Sequence, residues 1–267
     1  MRDKASVSTA KQMLNKVPEI TLFFWIIKIL STTVGETGAD LIDETLGIGL
    51  DGLTLIFGTI LVATLFFQFK SRKYTPGVYW LTVVLISIVG TLVTDDLTDN
   101  YEIPLEITTV IFTVLLGITF AVWYKKEKTL SIHAVNTTKR EAYYWIAILF
   151  TFSLGTAAGD LLSETMEFGY LVSIAIFGMM IATVVIAHFG FKLHTVAAFW
   201  IVYVLTRPLG ASIGDYLSQD LESGGMNLGS EVTSMIFLVT ILATVVYLSI
   251  TKNDVIENSD THDDLMN

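Results

Sequence analysis

The chain has 267 residues and contains no cysteine, so it forms no disulfide bond and offers no thiolate ligand to a metal. Charged residues are also scarce, at 16% of the chain, whereas 52% of the residues are hydrophobic. Soluble domains carry more charge and fewer apolar residues than this. The polar, basic N-terminal segment lacks a short apolar core ending at a small-residue cleavage site, so we expect no removable signal peptide.

The hydrophobic residues are gathered in eight long blocks, and little sequence remains outside them for a soluble domain. About 20 apolar residues suffice for a helix to cross a bilayer. The blocks therefore predict an all-α integral membrane protein with eight transmembrane helices, at residues 19–41, 48–69, 76–97, 104–124, 142–162, 169–190, 195–217 and 230–250.

The segments that connect these blocks alternate between basic and acidic. The basic residues are Arg2, Lys4, Lys11 and Lys16, then Lys70, Arg72 and Lys73, then Lys125, Lys126, Lys128, Lys139 and Arg140, and finally Lys192 and Lys252. The four intervening connections carry acidic residues and no Lys or Arg. Because basic loops stay on the cytoplasmic side of a membrane, we expect both termini in the cytoplasm.

One pattern, W-x9-G-x4-D, occurs four times in the chain. Its tryptophans are Trp25, Trp80, Trp145 and Trp200, its glycines are Gly35, Gly90, Gly155 and Gly210, and its aspartates are Asp40, Asp95, Asp160 and Asp215. The tryptophan spacings of 55, 65 and 55 residues indicate two similar halves, each of two repeats. Since each repeat holds two helices, all four point the same way, which predicts parallel two-helix hairpins with 2+2 pseudo-symmetry about the membrane normal.

At these residues the chain resembles a family of bacterial membrane proteins that consist of four tandem two-helix repeats of unknown function, each with a characteristic tryptophan. The resemblance covers roughly residues 17–250 and implies the eight-helix arrangement. It implies no activity, so function is argued from the residues.

The repeats and the charge pattern together divide the chain into six segments. We expect a cytoplasmic N-terminal segment at 1–18, repeats at 19–73, 74–135, 136–193 and 194–250, and a disordered acidic tail at 251–267.

The spacing is the same in all four repeats, and it places tryptophan, glycine and aspartate on one face of each odd-numbered helix. Small residues three or four positions apart let membrane helices pack closely, which is a sufficient role for the glycines. The aspartates lie about 22 Å beyond the tryptophans along the helix and could simply be solvated or cap a turn. If the odd helices surround one axis, however, Asp40, Asp95, Asp160 and Asp215 form a ring of carboxylates, which attracts and selects cations.

Other charged residues extend this candidate site. Three acidic side chains lie close in sequence to the same end of the helices: Glu36, Asp96 and Glu106. Two basic residues, Lys28 and Arg207, fall inside predicted membrane helices, where ionisable groups are functional candidates or counter-ions of carboxylates. Pro208 removes a backbone donor next to Arg207 and predicts a kink. An oxygen-rich site of this kind suits a divalent metal ion, and the four repeated aspartates are the predicted metal ligands.

These features favour a transporter or channel of the bacterial inner membrane for a small cation of the Mn²⁺, Mg²⁺ or Ca²⁺ type, with proton-coupled efflux as a specific version. A structural or sensing membrane scaffold is the alternative. We expect no enzyme, because the G-x-G-D of intramembrane aspartyl proteases is incomplete: position 157 is Ala and position 212 is Ser. No cofactor and no nucleic-acid partner is predicted. The expected partners are the lipid bilayer and a small cation, and the formation of a homo-oligomer stays open.

Overall fold

The structure is a computed structural model that describes residues 15–255, apart from the side chain of Glu44. Over these residues it contains eight long α-helices and no β-strand. The helices are α1 Leu22–Leu46, α2 Leu50–Lys70, α3 Pro76–Asp95, α4 Leu105–Glu127, α5 Thr138–Asp160, α6 Tyr170–Phe191, α7 Thr195–Ser218 and α8 Ser230–Thr251. The prediction of eight helices is therefore confirmed, and each observed helix coincides with one apolar block.

Local signals in the sequence explain several helix ends. The Thr21 side chain caps α1 by accepting from the backbone N–H of Phe24, and Pro76 occupies the first turn of α3, where its missing N–H costs nothing. Directly after Asp95 and Asp160, helices α3 and α5 continue as single π-helical turns, Asp96–Asn100 and Leu161–Thr165. Such turns interrupt the regular hydrogen bonding of a helix and often occur at functional sites.

Seven of the eight helices, α2 to α8, are long and apolar enough to cross a membrane. The remaining helix, α1, is also long enough, but it carries five charged residues and does not meet the apolar requirement. An apolar span can tolerate such charges only where neighbouring helices or water surround them. We therefore expect α1 to lie where other helices or water surround its charged side chains.

Helices α1, α3, α5 and α7 form an inner ring in which each helix packs against the next and α7 closes on α1. The repeated glycines make these contacts: a Cβ atom on Gly35 would clash with Ser87, one on Gly90 with Phe152, one on Gly155 with Arg207 and one on Gly210 with Thr32. In every case the partner is the residue seven positions after the tryptophan of the next repeat. The ring is thus cyclic and close to four-fold symmetric, and it requires glycine at these four contacts.

The even-numbered helices form an outer ring, but they do not pack in the expected hairpins. Helix α2 touches α1 only slightly and packs along α3; likewise α4 lies on α5, α6 on α7 and α8 on α1. Each repeat thus covers the inner helix of the following repeat. Only 11% of the apolar span of α2 is buried, against 72% of that of α3, so the outer ring presents most of its apolar surface to the surroundings.

The described ends of the chain meet at one end of the bundle. The backbone N–H of Glu19 donates to the carbonyl of Asp254 at 2.9 Å, and the Tyr74 hydroxyl donates to the Asp254 carboxylate at 2.5 Å. Burial raises the pKa of both Asp254 and Tyr74. Residues 252–255 form a turn here, and the rest of the expected acidic tail lies outside the described residues, as do Arg2, Lys4 and Lys11.

Candidate cation site

A polar cavity of about 230 Å³ opens between the inner helices, at the end of the bundle opposite the chain ends. Eight carboxylate side chains line it: Glu36, Asp40, Asp43, Asp95, Asp99, Asp160, Glu164 and Asp215. No Lys, Arg or His among the described residues is part of this lining. The charged side chains of the described lining are therefore all acidic, an arrangement that attracts cations.

The four repeated aspartates, Asp40, Asp95, Asp160 and Asp215, all line this cavity, and we call them the aspartate layer. They meet because each occupies the same position on one of the four inner helices. Asp215 is only 6% exposed, yet no described side chain donates a hydrogen bond to it or pairs with it. A buried carboxylate without a donor is costly unless a ligand, a proton or water satisfies it.

Below the aspartate layer, the guanidinium of Arg207 fills the axis of the inner ring. It is fully buried and donates through Nη1 to the Glu36 carboxylate at 3.0 Å and to the carbonyl of Thr32 at 3.1 Å. Through Nη2 it donates to the hydroxyls of Thr91 and Thr156. We call Arg207, Glu36, Thr91 and Thr156 the guanidinium layer.

The sequence of the inner helices explains why one arginine fits at this place. Glu36, Thr91 and Thr156 lie eleven residues after the tryptophans of their repeats, so three repeats supply acceptors at one level. The fourth repeat has Ala211 at that position. Gly155 leaves room for Arg207, because a Cβ atom there would collide with the arginine side chain.

Three carboxylates from three repeats approach one another closely enough to bind a single metal ion. One oxygen of Glu36, one of Asp160 and one of Asp215 lie within 4.8 Å of one another. Carboxylate oxygens are the ligands that Mg²⁺, Ca²⁺ and Mn²⁺ prefer. Glu36 thus belongs both to this cluster and to the guanidinium layer.

Lys28 lies deeper in the inner ring and faces aromatic rings instead of carboxylates. Its Nζ is 4.2 Å from the centre of the Phe152 ring and 4.5 Å from that of Tyr203, and no described atom accepts a hydrogen bond from it. Because the Arg207 guanidinium lies 5.5 Å from the same Phe152 ring, this phenylalanine contacts both basic side chains. Lys28 and Arg207 therefore share Phe152 as a neighbour, but only Arg207 is paired with a carboxylate among the described residues.

Four of the residues predicted for the ion site do not line the cavity: Lys28 and Arg207 lie beneath it, and Asp96 and Glu106 lie outside the inner ring. Asp96 accepts from the Asn100 side chain at 2.6 Å and lies beside Asp51 in a shallow depression outside the inner ring. It follows Asp95 by one residue, which turns its side chain about 100° around the helix. Glu106 is exposed at the first turn of the outer helix α4. The structure thus brings Glu36 and the aspartate layer together and leaves Asp96 and Glu106 outside.

The structure also adds residues that the analysis of the sequence did not select. Asp43, Asp99 and Glu164 line the cavity, and Thr91 and Thr156 hold the guanidinium. Their spacing from the repeated tryptophans is a signal for them in the sequence. They recur 11, 18 or 19 residues after the repeated tryptophans, on the same helix face as the aspartates.

Comparison with known proteins agrees with the repeat pattern and adds no activity. The chain matches the model of a family described as Repeat of Unknown Function (DUF347) four times, at residues 23–74, 78–129, 143–193 and 198–254. No curated protein and no solved structure matches the chain. The four matches cover most of the sequence and confirm the resemblance seen in the repeated tryptophans. The chain belongs to the DUF347 repeat family.

Proposed function

We propose that this protein is a multi-pass transporter of the inner membrane that moves a small cation through the acidic cavity. The membrane location is supported by the seven apolar helices and by the exposed apolar surface of the outer ring. The orientation follows from charge. Lys70, Lys192 and Lys252 end or follow helices at the end of the bundle where the described termini meet. Basic residues at that end support a cytoplasmic location for it.

The eight carboxylates around one cavity carry this proposal. Isolated acidic residues on a surface are common, but here all four repeats contribute the same aspartate to one enclosed space. Rings of Asp and Glu are used to attract and select cations. The close approach of Glu36, Asp160 and Asp215 favours a divalent ion, because such ions bind several carboxylate oxygens together.

The buried layers beneath the cavity favour a transporter over an open channel. Arg207, Lys28 and Tyr79 are fully buried in the inner ring, and the hydroxyls of Tyr79 and Tyr144 lie 2.5 Å apart. A cation that enters the cavity can therefore pass only if the inner helices move. Pro208 and the π-helical turns after Asp95 and Asp160 weaken the helices next to the cavity and are natural places for such movement.

Exchange for protons is a specific version of the proposal. When a divalent ion binds among clustered carboxylates, any protons that they share are released, because metal and proton use the same oxygens. Release of the ion on the other side of the membrane would let protons return. The cavity thus combines the two functions that a cation–proton exchanger requires.

Flux in sealed liposomes tests the proposal. Purified protein is reconstituted, Mn²⁺, Mg²⁺, Ca²⁺, Zn²⁺, Na⁺ and K⁺ are offered in turn, the uptake of each ion is measured, and an internal pH dye follows any accompanying proton movement. We expect uptake of a divalent ion that is lost in Asp160→Asn and kept in Glu106→Gln, whose carboxylate lies outside the cavity. Equal uptake in wild-type protein and Asp160→Asn would contradict the proposal. Absence of flux for every ion, in folded protein, would favour the membrane scaffold.

A further inference from the structure

Glu36 is the one residue that belongs both to the candidate metal cluster and to the ion pair beneath it. Its Oε2 atom accepts from Arg207 Nη1 at 3.0 Å and from the Thr91 hydroxyl at 3.3 Å. A carboxylate oxygen of the same residue lies within 4.8 Å of oxygens of Asp160 and Asp215. A guanidinium and a divalent cation compete for such a carboxylate, because each is stabilised by its negative charge.

The other members of the cluster provide independent evidence that a cation belongs there. Asp215 is 94% buried, lines the cavity and receives no hydrogen bond from any described side chain. Arg207 does not donate to Asp215. The guanidinium N–H groups that form hydrogen bonds donate to Glu36, Thr32, Thr91 and Thr156. Among the described side chains, Glu36 thus has a charged donor, whereas Asp215 has none.

We propose that Arg207 is a built-in competitor of the transported cation: it holds Glu36 when the cavity is empty and gives Glu36 up when a divalent cation binds with Asp160 and Asp215. This inference rests on the proposed function, because it concerns the same cavity. It makes the guanidinium layer the element that senses whether cargo is present.

Release of Glu36 is feasible because Arg207 keeps other acceptors. After the ion pair breaks, Nη1 retains the Thr32 carbonyl and Nη2 retains the hydroxyls of Thr91 and Thr156. Glu36 then no longer compensates the positive charge of Arg207. Because Arg207 is part of α7, cation binding is thereby linked to the position of that helix. That helix contains Pro208 next to the arginine, and both residues pack against Gly155 of α5. A change in Arg207 is therefore transmitted to the contact between two inner helices.

Two variants that preserve the net charge separate competition from simple repulsion. Arg207→Lys keeps a positive charge but removes the forked group that serves Glu36, Thr32, Thr91 and Thr156 together. Thr156→Val removes an acceptor of Arg207 that forms no hydrogen bond with Glu36, and it changes no charge. If the pair must break, Arg207→Lys binds Mn²⁺ roughly tenfold more tightly, whereas Thr156→Val binds it several-fold more weakly, because Arg207 then depends more on Glu36.

The measurement is a calorimetric titration of purified full-length protein with Mn²⁺. Thr94→Val is the matched control, because its hydroxyl donates to the carbonyls of Gly90 and Ser153 and not to the guanidinium layer. Its affinity should equal that of wild-type protein. Asp160→Asn, which removes a cluster ligand, should abolish binding.

Unchanged or weaker Mn²⁺ binding in Arg207→Lys, or unchanged or tighter binding in Thr156→Val, with wild-type protein binding normally, would overturn the competition and leave the cation site intact. If Arg207→Lys does not fold, Thr156→Val alone decides, because its hydroxyl is removed without a large change of size and without a change of charge. Binding that is absent in wild-type protein and in every variant would overturn the cation site itself, together with the competition.

Discussion

The aspartate layer and the guanidinium layer lie next to each other on one axis, yet they treat the four repeats differently. In the aspartate layer every repeat contributes the same side chain, at the same position. In the guanidinium layer one repeat contributes Arg207, while three contribute the acceptors Glu36, Thr91 and Thr156. The repeats are thus equivalent in the aspartate layer and specialised beneath it.

Space and charge explain the difference. Four carboxylates can line one cavity together, because none of them has to occupy its centre. On the axis itself only one large side chain fits, so four arginines are excluded and the remaining repeats must supply small or accepting groups. This near-symmetric repeat protein thus keeps its symmetry in the aspartate layer, which lines a cavity, and loses it where a single side chain fills the centre.

The largest expected effect comes from removing the single guanidinium. Arg207→Gln leaves Glu36 and two hydroxyls without their charged donor in the buried centre, so the free energy of unfolding of the cation-free protein should fall by about 3–5 kcal/mol. Mn²⁺ should restore part of this loss, because it binds the folded state. Thermal unfolding in detergent, followed by circular dichroism, measures both. Wild-type stability of Arg207→Gln without metal would contradict the importance of this layer.

Replacing a glycine beside Arg207 with alanine should destabilise the protein, whereas the same replacement in the outer ring should stabilise it. In Gly155→Ala the added Cβ collides with Arg207, and we expect a loss of about 1–3 kcal/mol. Gly178, in α6, has nothing within 4 Å of an added Cβ, so Gly178→Ala should gain up to about 1 kcal/mol from helix propensity. The same unfolding assay compares them. Equal effects would contradict the close packing of the inner ring.

Lys28 differs from Arg207 in its partners. Both are buried basic residues of the inner ring, but Lys28 has no carboxylate partner among the described residues. Lys28→Met keeps the length of the side chain and removes a polar group that has no described acceptor. The protein should become more stable, by about 1–2 kcal/mol, in the unfolding assay. A clear loss of stability in Lys28→Met would show that Lys28 is satisfied by an interaction that the contacts with Phe152 and Tyr203 do not include.

Neutralising one member of the aspartate layer should have the smallest effect on stability and the opposite sign to Arg207→Gln. Asp215→Asn reduces repulsion among the cavity carboxylates and should raise the free energy of unfolding by on the order of 1 kcal/mol. It should also remove Mn²⁺ binding, because Asp215 is a member of the cluster. Destabilisation together with retained binding would reverse the roles assigned to the two layers.

Much of the fold was predictable because apolar blocks and charged connections repeat along the chain. The eight blocks coincide with α1 to α8, and the four aspartates that share a position in the repeat also share a cavity. Each of these features depends on residues that are near in sequence or related by the repeat, so local patterns are sufficient to identify them.

The packing partners were not predictable in the same way. The sequence connects α1 to α2 by a short turn, but α2 lies along α3, and no pattern within one repeat distinguishes these arrangements. The contact of Arg207 with Glu36 joins residues 171 positions apart and likewise depends on how the ring closes. Asp96 shows the limit of sequence proximity: it follows Asp95 directly, yet points away from the cavity.

The proposed binding of the transported cation in the acidic cavity can be tested by locating Mn²⁺ through its anomalous X-ray scattering in crystals of the protein. We expect one strong peak between Glu36, Asp160 and Asp215, roughly 2.2 Å from carboxylate oxygens, with Glu36 no longer paired to Arg207. Mn²⁺ found only elsewhere, or a cavity without metal at concentrations that support flux, would contradict it.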